Sequence, residues 1–385
     1  MSRSGNFRKT LQGYRAFYPD ALPPEPEISF EGELGLLLSK ADQALGAINT
    51  IASVLPNPEL LVGMFIQKEA LLSSQIEGTQ SSLVDVLGAE ENQEPTVDVG
   101  EVVNYVNAMH YGLSRLRKDE FPMSLRLLRE IHGVLMQQVR GGKSALTPGE
   151  FRTSQNWIGG SNLQNARYIP PPVEEMKDAL GKLEAYMHHD DDLPVLVKCA
   201  LIHYQFETIH PFNDGNGRLG RLLITLFLVW RNVLDEPMLY LSAYLKAHQQ
   251  EYYDRLTQVR VDGNFEAWVR FFLEGVVTVS EQVINTTRRL QRLEREVTDR
   301  LIQSPAGLNG LLLMRLLMRQ PVVRVKDVQR ALSISYNNAN AVIARAGELG
   351  ILEQTSSVRR NRKFLYREYV AILAEGTELN VGFEQ

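Results

Sequence analysis

Twelve consecutive residues, His210-Pro211-Phe212-Asn213-Asp214-Gly215-Asn216-Gly217-Arg218-Leu219-Gly220-Arg221, gather a histidine, a carboxylate, three glycines, two amides and two arginines. An apolar run from Leu222 to Trp230 follows directly. That order reads as a loop feeding the N-terminus of a buried helix, where free backbone N–H groups and the positive dipole end favour an anion. Gly215 and Gly217 let the backbone approach such an anion closely, and the side chain of Asn216 adds a neutral donor. Arg218 and Arg221, three apart on the first helical turn, fall on one side and can each grip phosphate. Asp214 is a hard-oxygen ligand suited to Mg2+ (or Mn2+), which keeps several waters and binds through one carboxylate plus substrate phosphates. His210 is the group of the segment able to take a proton near neutral pH. The chemistry indicated is a nucleotide polyphosphate, a divalent cation and a general base.

A His-Pro turn or a Gly-Asn-Gly loop alone is ordinary connecting structure. The combination is not, because no turn needs a base, a carboxylate and two arginines. A Walker phosphate loop is excluded, since Gly-x-x-x-x-Gly-Lys-Ser/Thr is absent, and His203 before the motif does not complete His-Glu-x-x-His. The segment resembles the Fic motif, His-Pro-Phe-x-Asp/Glu-Gly-Asn-Gly/Lys-Arg-x-x-Arg, at every fixed position. The resemblance covers about residues 20 to 275. It implies transfer of AMP from ATP to a Ser, Thr or Tyr hydroxyl of a protein target, possibly including the chain itself, with pyrophosphate leaving. His210 would be the base, Asp214 the metal ligand, Asn216 and the glycines the α-phosphate cradle, and Arg218 and Arg221 the grip on the leaving end. Within the same resemblance, removal of AMP, with Glu77 orienting water, and transfer of another phosphate-containing group stay open. A DNA-binding regulator with a nucleotide-sensing core is the reading outside enzyme chemistry.

The elements expected to position these residues begin with the N-terminal third. Residues up to about 30 read as loop, with Pro19, Pro23, Pro24 and Pro26 opposing regular structure. Glu31–Val54 has helical apolar spacing, and a second helix over Glu59–Gln75 ends in Ser73-Ser74-Gln75-Ile76-Glu77-Gly78. Ser73 and Glu77 are four apart and share a face, while Gly78 suits a C-cap. Ser/Thr-x-x-x-Glu-Gly/Asn is similar to the inhibitory motif of Fic proteins, which implies that Glu77 pairs with Arg221 and blocks the ATP γ-phosphate. Helices are expected over Val97–Arg117 and Ser124–Gln138, with His110 and His132 packed or solvated. Strand-like pieces around Trp157-Ile158-Gly159-Gly160 and Tyr168-Ile169 predict a hairpin, similar to the Fic flap that positions the target hydroxyl; Trp157, Ile158, Gly159, Tyr168 and Ile169 are its candidate docking residues. Helices are expected over Val173–Met187 and Pro194–Thr208. The run His188-His189-Asp190-Asp191-Asp192 between them reads as a solvated helix end, because adjacent positions face different ways. Phe212 reads as an apolar anchor of the loop. Two further helices cover Leu239–Leu256 and Trp268–Phe272; Tyr240, Tyr244, Tyr252 and Tyr253 are candidates for a nucleobase pocket, with core packing the commoner role. Val276–Leu301 reads as a charged connecting helix.

From Ser304 the pattern changes. Helices over Leu308–Arg319, Val325–Leu332 and Tyr336–Leu349, then strands over Ile351–Glu353 and Lys363–Tyr366 around Arg359-Arg360-Asn361-Arg362, resemble a winged helix-turn-helix. Tyr336, Asn337, Asn338 and Asn340 would reach base edges and the arginine-rich wing would lie on phosphate. Residues from Pro305 onward carry eleven Lys/Arg against seven Asp/Glu, an excess of +4, which leaves the rest of the chain at −9 of the total −5. That excess is modest beside the many phosphate contacts of specific DNA binders.

The expected fold is mostly α, a Fic-type helical bundle with a β-hairpin flap. Its parts are an N-terminal helical region with the inhibitory motif (1–95), a core domain (96–275), a helical linker (276–304) and a winged helix-like unit (305–385). Composition agrees with an ordinary globular chain: 385 residues, 44% hydrophobic and 23% charged. The one cysteine, Cys199, allows no internal disulfide and suits a reducing compartment. Met1–Tyr18 is polar and basic and does not read as a secretory signal, and no apolar run approaches ~20 residues. A cytoplasmic protein is expected, with ATP and a protein bearing an exposed hydroxyl as partners. Duplex DNA through 305–385 and a homodimer are open, and no membrane is expected.

Overall fold

The computed structural model describes residues 3–55, 58–89, 96–137, 147–355 and 362–378. An antiparallel hairpin comes first, β1 (Gly5–Lys9) and β2 (Arg15–Pro19), with Phe7 opposite Phe17. This corrects the loop expected over the first thirty residues. The prolines all stand at or after position 19, and Gly13, at φ 92°, closes the turn that alternating Phe and Arg residues set up. Phe17 is fully buried, and its N–H donates to the Ile169 carbonyl at 3.0 Å, so the hairpin is pinned to the rest of the chain.

The helical body follows. Helix α1 (Glu33–Ser53) buries Leu34, Ala41, Leu45 and Ile48 and packs along α11 (Phe265–Ile302). Helix α2 (Pro58–Ile76) is apolar on nearly every side and packs on α4 (Val97–Arg117) and α9 (Ser242–Ala247), as a central helix must. A short helix not expected from periodicity, α3 (Leu83–Leu87), starts in a capping box between Ser82 and Asp85. Thr96 and Ser124 cap α4 and α5 (Leu125–Leu135) by accepting from Val99 N–H and Leu127 N–H. Helix α6 (Val173–His188) packs on α7 (Val195–Ile209), and α7 on α8 (Asn216–Trp230). Along α7 every residue after Val195 is buried. At the end of α6, His188 meets the Met123 carbonyl at 2.6 Å, and among the described residues no group of three or more His, Cys, Asp or Glu could hold a metal.

The segment expected as one helix to Leu256 is two, α9 and α10 (Gln249–Asp262), while Trp268–Phe272 and Val276–Leu301 fuse into the single 38-residue α11. No breaker separates the two halves of α11. Gly275 is there for packing: a methyl group at that position would come within 2.7 Å of Tyr244 Cδ1. The core-to-linker boundary expected at 275/276 therefore falls inside a continuous helix.

The C-terminal unit runs α12 (Gly307–Arg319), β3 (Val322–Arg324), α13 (Val325–Leu332), α14 (Tyr336–Glu348), β4 (Glu353–Gln354), β5 (Lys363–Leu365) and α15 (Arg367–Ala374). Its sheet is antiparallel in the order β3-β5-β4, with Val322 opposite Leu365 and Glu353 also opposite Leu365. Arg359, Arg360 and Asn361 lie outside the described residues; Arg362 donates to Asn340 Oδ1 at 2.7 Å. Helices α12 and α15 rest on α11 and α2, so this unit touches the helix that leads to Glu77. Among the described residues no helix is long and apolar enough to cross a membrane.

Candidate active site

The loop between α7 and α8 is built by conformations that the sequence pays attention to at each step. His210 ends α7 in the left-handed region (φ 49°, ψ 62°), and its N–H still bonds to the Phe206 carbonyl. Its own carbonyl accepts from Arg152 Nε at 3.1 Å and Asn156 Nδ2 at 3.2 Å. Arg152 is fully buried and also donates to the carbonyls of Ser154 and Pro171, while its N–H donates to Pro211 O. An uncommon backbone geometry is thereby held by a guanidinium rather than by a glycine. Burial draws the His210 imidazole down to about 4, with Arg260 adding to the effect, so the ring is neutral at pH 7 and able to accept a proton.

Gly215, at φ 77°, is the N-cap of α8. A side chain there would be strained and would meet Met136 Sδ at 2.6 Å. The Asn216 side chain accepts from the Phe212 N–H at 2.9 Å and donates to the Phe212 carbonyl at 2.8 Å. It staples the loop, which leaves one amide hydrogen for a phosphate and makes it first a loop-shaping residue. Phe212 is fully buried and stacks on His132 with ring centroids 3.8 Å apart.

His132 is a site residue that helical periodicity missed. One ring nitrogen lies 3.0 Å from the Asp214 carbonyl oxygen and the other accepts from Gly149 N–H at 2.9 Å, which fixes the protonated nitrogen as the one facing Asp214. Burial pulls this imidazole down to about 4, so it stays neutral while tying α5 to the motif loop. Asp214 is half exposed and its Oδ1 accepts from Gly215 N–H at 2.6 Å. Its donor set fits a cation only in part: one carboxylate is offered, so Mg2+ or Mn2+ at Asp214 would take its other ligands from nucleotide phosphates and water.

The arginines differ. Arg218 is buried with Glu101 and Asp214 carboxylate oxygens at 3.8 and 3.7 Å, beyond hydrogen-bond reach, and its Nε and Nη1 make no hydrogen bond. Arg221 is engaged through two of its three nitrogens: Nε donates to Ser73 Oγ at 2.9 Å, and Nη2 to the Ser73 carbonyl at 3.0 Å and Glu77 Oε1 at 2.6 Å. Glu77 follows the end of α2 and is turned by Gly78 (φ 96°). Burial works to raise the Glu77 carboxyl, but the charge and hydrogen bond of Arg221 outweigh it and hold the group below its ordinary value. A methyl group on Gly217 would overlap Glu77 Oε1. The carboxylate thus stands over the first turn of α8, where the backbone and dipole favour a phosphate.

Glu77, His210, Gly217 and Arg221 line a cavity of about 320 Å3 together with Tyr252, Tyr253, Leu256, Glu207 and Arg260, whereas Asp214, Asn216 and Arg218 are not on its wall; the volume is at the small end of ligand pockets. Of the four tyrosines proposed for a nucleobase, Tyr252 and Tyr253 are in this cavity. Tyr240 and Tyr244 are not: Tyr240 stacks on Phe65, and Tyr244 packs on His248 and Phe271. Helical spacing put the four on one stretch, but the break between α9 and α10 turns the pairs to different neighbours. Glu207, one turn before His210, was not singled out by its spacing; its Oε1 makes no hydrogen bond, and burial pushes its carboxyl up to about 7.

The hairpin over the cavity is reduced to one antiparallel bridge, Ile158 to Tyr168, with Gly159 and Gly160 at positive φ. Trp157 and Gly159 are exposed and Ile158 is half-buried, whereas Tyr168 and Ile169 are buried. The Tyr168 hydroxyl donates to the Thr208 carbonyl at 2.7 Å and the Ile169 carbonyl is taken by Phe17. Those last two anchor the flap, and Tyr168 also lines the cavity. Burial is what their apolar side chains gain from lying against β2 and α7.

A helical body with a phosphate-favouring helix start, a neutral histidine and a carboxylate on the second arginine is the construction of a Fic fold. Residues 36–114 match the family model described as Fic/DOC family N-terminal, and residues 122–228 the model described as Fic/DOC family. Among curated proteins it is similar to protein adenylyltransferase Fic of Culex quinquefasciatus, 30% identical over 194 residues, 50% of this chain and 34% of that protein. It is also similar to a probable protein adenylyltransferase of Aquifex aeolicus (strain VF5), 29% identical over 185 residues, 47% of this chain and 53% of the other. The match thus spans between a third and about half the length of these relatives. The crystal structure of a Fic family protein from Desulfovibrio desulfuricans G20 superposes with a TM-score of 0.56 at 19% identity, over 89% of this chain and 98% of that one, a likeness of fold.

Proposed function

We propose that this chain transfers AMP from ATP to a hydroxyl of a protein, and that Glu77 holds the activity off. The observation that carries the proposal is the Arg221–Glu77 pair, 2.6 Å, within the cavity that also holds His210. In the reaction, the target hydroxyl oxygen bonds to the α-phosphorus as the bond to the β-phosphate oxygen breaks, and pyrophosphate leaves. Neutral His210 takes the hydroxyl proton. Arg218, with unused N–H groups, and Arg221, once released from Glu77, bind the oxygens on which charge accumulates. The glycine backbone and the α8 N-terminus receive the α-phosphate, so the contribution of the protein is placement and electrostatics. A divalent cation held at Asp214 would neutralise phosphate charge. Exposed Trp157 and Gly159 are the flap positions left to meet an extended target segment by strand addition.

The test is labelled-AMP transfer with Mg2+ and ATP, using wild type, Glu77→Gly and Glu77→Gly/His210→Ala. Labelling in Glu77→Gly well above wild type, abolished by the histidine change, is expected. Absence of labelling from all three folded proteins would overturn the transfer reading and favour removal of AMP, with Glu77 orienting water.

A second reading concerns the C-terminal unit, which we read as a winged helix. Helix α14 turns Tyr336, Asn337 and Asn338 to solvent at its N-terminal end, a set of neutral hydrogen-bonding side chains suited to base edges. Salt-dependent binding of duplex DNA, lost in Asn337→Ala/Asn338→Ala, is expected of a DNA reader. Absence of binding at low salt would leave this face to a protein partner.

A further inference from the structure

A second cleft, about 560 Å3, lies between α2, α9, α11 and the residues following α15, apart from the nucleotide cavity. Lys68, only 2% exposed, donates to the Glu375 carbonyl at 2.8 Å, with its ammonium 4.6 Å from the centre of the Tyr240 ring. Lys246, 9% exposed, donates to the Glu378 carbonyl at 2.6 Å and to Gln75 Oε1 at 2.7 Å. Among the described residues no carboxylate lies within ion-pair distance of either ammonium. The Glu375 carboxylate is engaged instead by Arg289, at 2.6 Å to each oxygen. The Tyr240 hydroxyl, 1% exposed, has the Thr286 side chain as a weak hydrogen-bond partner. Three cations therefore face two carboxylates, and the two buried ammoniums are met by neutral oxygens, one carbonyl at the C-terminal end of α15, one beyond it and the Gln75 amide.

Such an arrangement is under-satisfied. A helix C-terminus offers a cation only a partial negative charge, and hydrogen bonds to an ionised acceptor are roughly twice as strong as to a neutral one. A buried hydroxyl held by one weak partner adds a desolvation cost of its own. We propose that this cleft is a binding site for a small phosphate-bearing anion, whose oxygens take Lys68 and Lys246 from the Glu375 and Glu378 carbonyls and accept the Tyr240 hydroxyl. Tetrahedral oxygens suit donors that converge from three elements, α2, α9 and the loop before α9. Burial lowers the Lys68 ammonium to about 8, the condition in which an anionic partner adds most. Lys68 and Gln75 sit on the helix that ends at Glu77, and Gln75 Nε2 also donates to the Thr377 carbonyl at 3.0 Å. An anion here would loosen the C-terminal segment from α2. The inference goes beyond the AMP-transfer reading and does not rest on it.

The test is calorimetric titration of the full chain with inorganic phosphate at constant ionic strength. Saturable binding is expected in wild type and in Arg218→Ala. Lys68→Met/Lys246→Met is expected to weaken it about tenfold or more, the scale of one charged hydrogen bond, and Tyr240→Phe several-fold with thermal stability kept. Tyr240→Phe guards against a double variant that fails to fold. No saturable binding, binding lost in Arg218→Ala, or binding indifferent to Tyr240→Phe and to a folded double variant would each overturn the proposal.

Discussion

Glu77 Oε1 and Arg221 Nη2 meet at 2.6 Å although 144 residues separate them in the chain, and the same carboxylate overlaps the space a side chain at Gly217 would need. On the proposed reading one group competes with a nucleotide twice, for the guanidinium and for the helix start. The two effects are separable. Glu77→Gln keeps a hydrogen-bond acceptor and the bulk but removes the charge, whereas Glu77→Gly removes all three. ATP affinity is expected to rise several-fold in Glu77→Gln and about tenfold or more in Glu77→Gly, given ~1.5–3 kcal/mol for a charged hydrogen bond. Calorimetric titration with ATP and Mg2+ checks the order; equal affinity in all three proteins would mean that Glu77 does not compete.

His132 tests whether loop placement matters as much as the residues that touch phosphate. Its ring joins Asp214 O, Gly149 N and the Phe212 face. His132→Ala opens space beside a fully buried phenylalanine and leaves a buried donor and acceptor unmatched, at ~2–4 kcal/mol of stability. In the Glu77→Gly background it is expected to lower transfer at least about tenfold through misplacement of the motif. His132→Asn restores part of the hydrogen bonding without the stacked ring and should fall between. Transfer unchanged in a folded His132→Ala protein would remove it from the site.

The contrast between His210 and His132 shows what was legible in the sequence. His210, Asp214, Gly217, Arg218 and Arg221 are packed into one loop and one helical turn, so their spacing alone put them on a common surface. Helices α4 and α13 follow the apolar period to the residue. Ser73 and Glu77 were visible as a pair, but their partner Arg221 was reached through resemblance, not spacing. His132, Arg152 and Glu207 carry no local signal. Arg152 looks like any loop arginine until 58 residues of intervening chain fold its guanidinium onto the His210 carbonyl. The hairpin β1–β2 was hidden by prolines that turned out to follow it, and α11 was divided at a glycine whose reason is Tyr244. Side-chain partners distant in sequence decide these cases, and periodicity contains none of them.

Protonation gives a prediction with two signs. Burial lowers His132, His203 and His210 to about 4, 3 and 4, against about 6.5 in the unfolded chain. Each contributes stability that is complete above pH 6.5 and is lost as pH falls through the folded value, because the unfolded state binds the proton first. Burial raises Glu69 and Glu207 to about 7; their stability is complete below the unfolded carboxyl value and is lost as pH rises through 7. The two trends oppose between about pH 4.5 and 6.5. With three histidines against two carboxyls, unfolding midpoints should therefore fall gently there and more steeply just below pH 4.5, where the carboxyls no longer offset the histidines. His203→Gln, which removes one of the three, should shallow the drop; a steep loss beginning at pH 6.5 would show that the histidines act without that offset. Transfer by Glu77→Gly should likewise keep its rate down to about pH 5 and fall with the His210 protonation near 4, not near the ordinary 6.5.

Arg152 supplies the last test, because its guanidinium holds the His210, Ser154 and Pro171 carbonyls together and so joins His210 to both ends of the flap. Arg152→Lys keeps the charge but not the fork: one ammonium cannot address three carbonyls held in that geometry. Asn156 remains on the His210 and Phe212 carbonyls, at 3.2 and 2.9 Å, and gives partial support. Expected for Arg152→Lys in the Glu77→Gly background is a fall in kcat of about tenfold to a hundredfold, with ATP affinity little changed, since Arg152 does not reach the phosphate-binding arginines. Arg152→Met should lose ~2–4 kcal/mol of stability as well, having stripped three buried carbonyls of a donor. A Lys variant with full kcat would mean that the left-handed turn at His210 is set by the loop itself. A loss of ATP affinity equal to the loss of kcat would place Arg152 in nucleotide binding instead of in the support of the base.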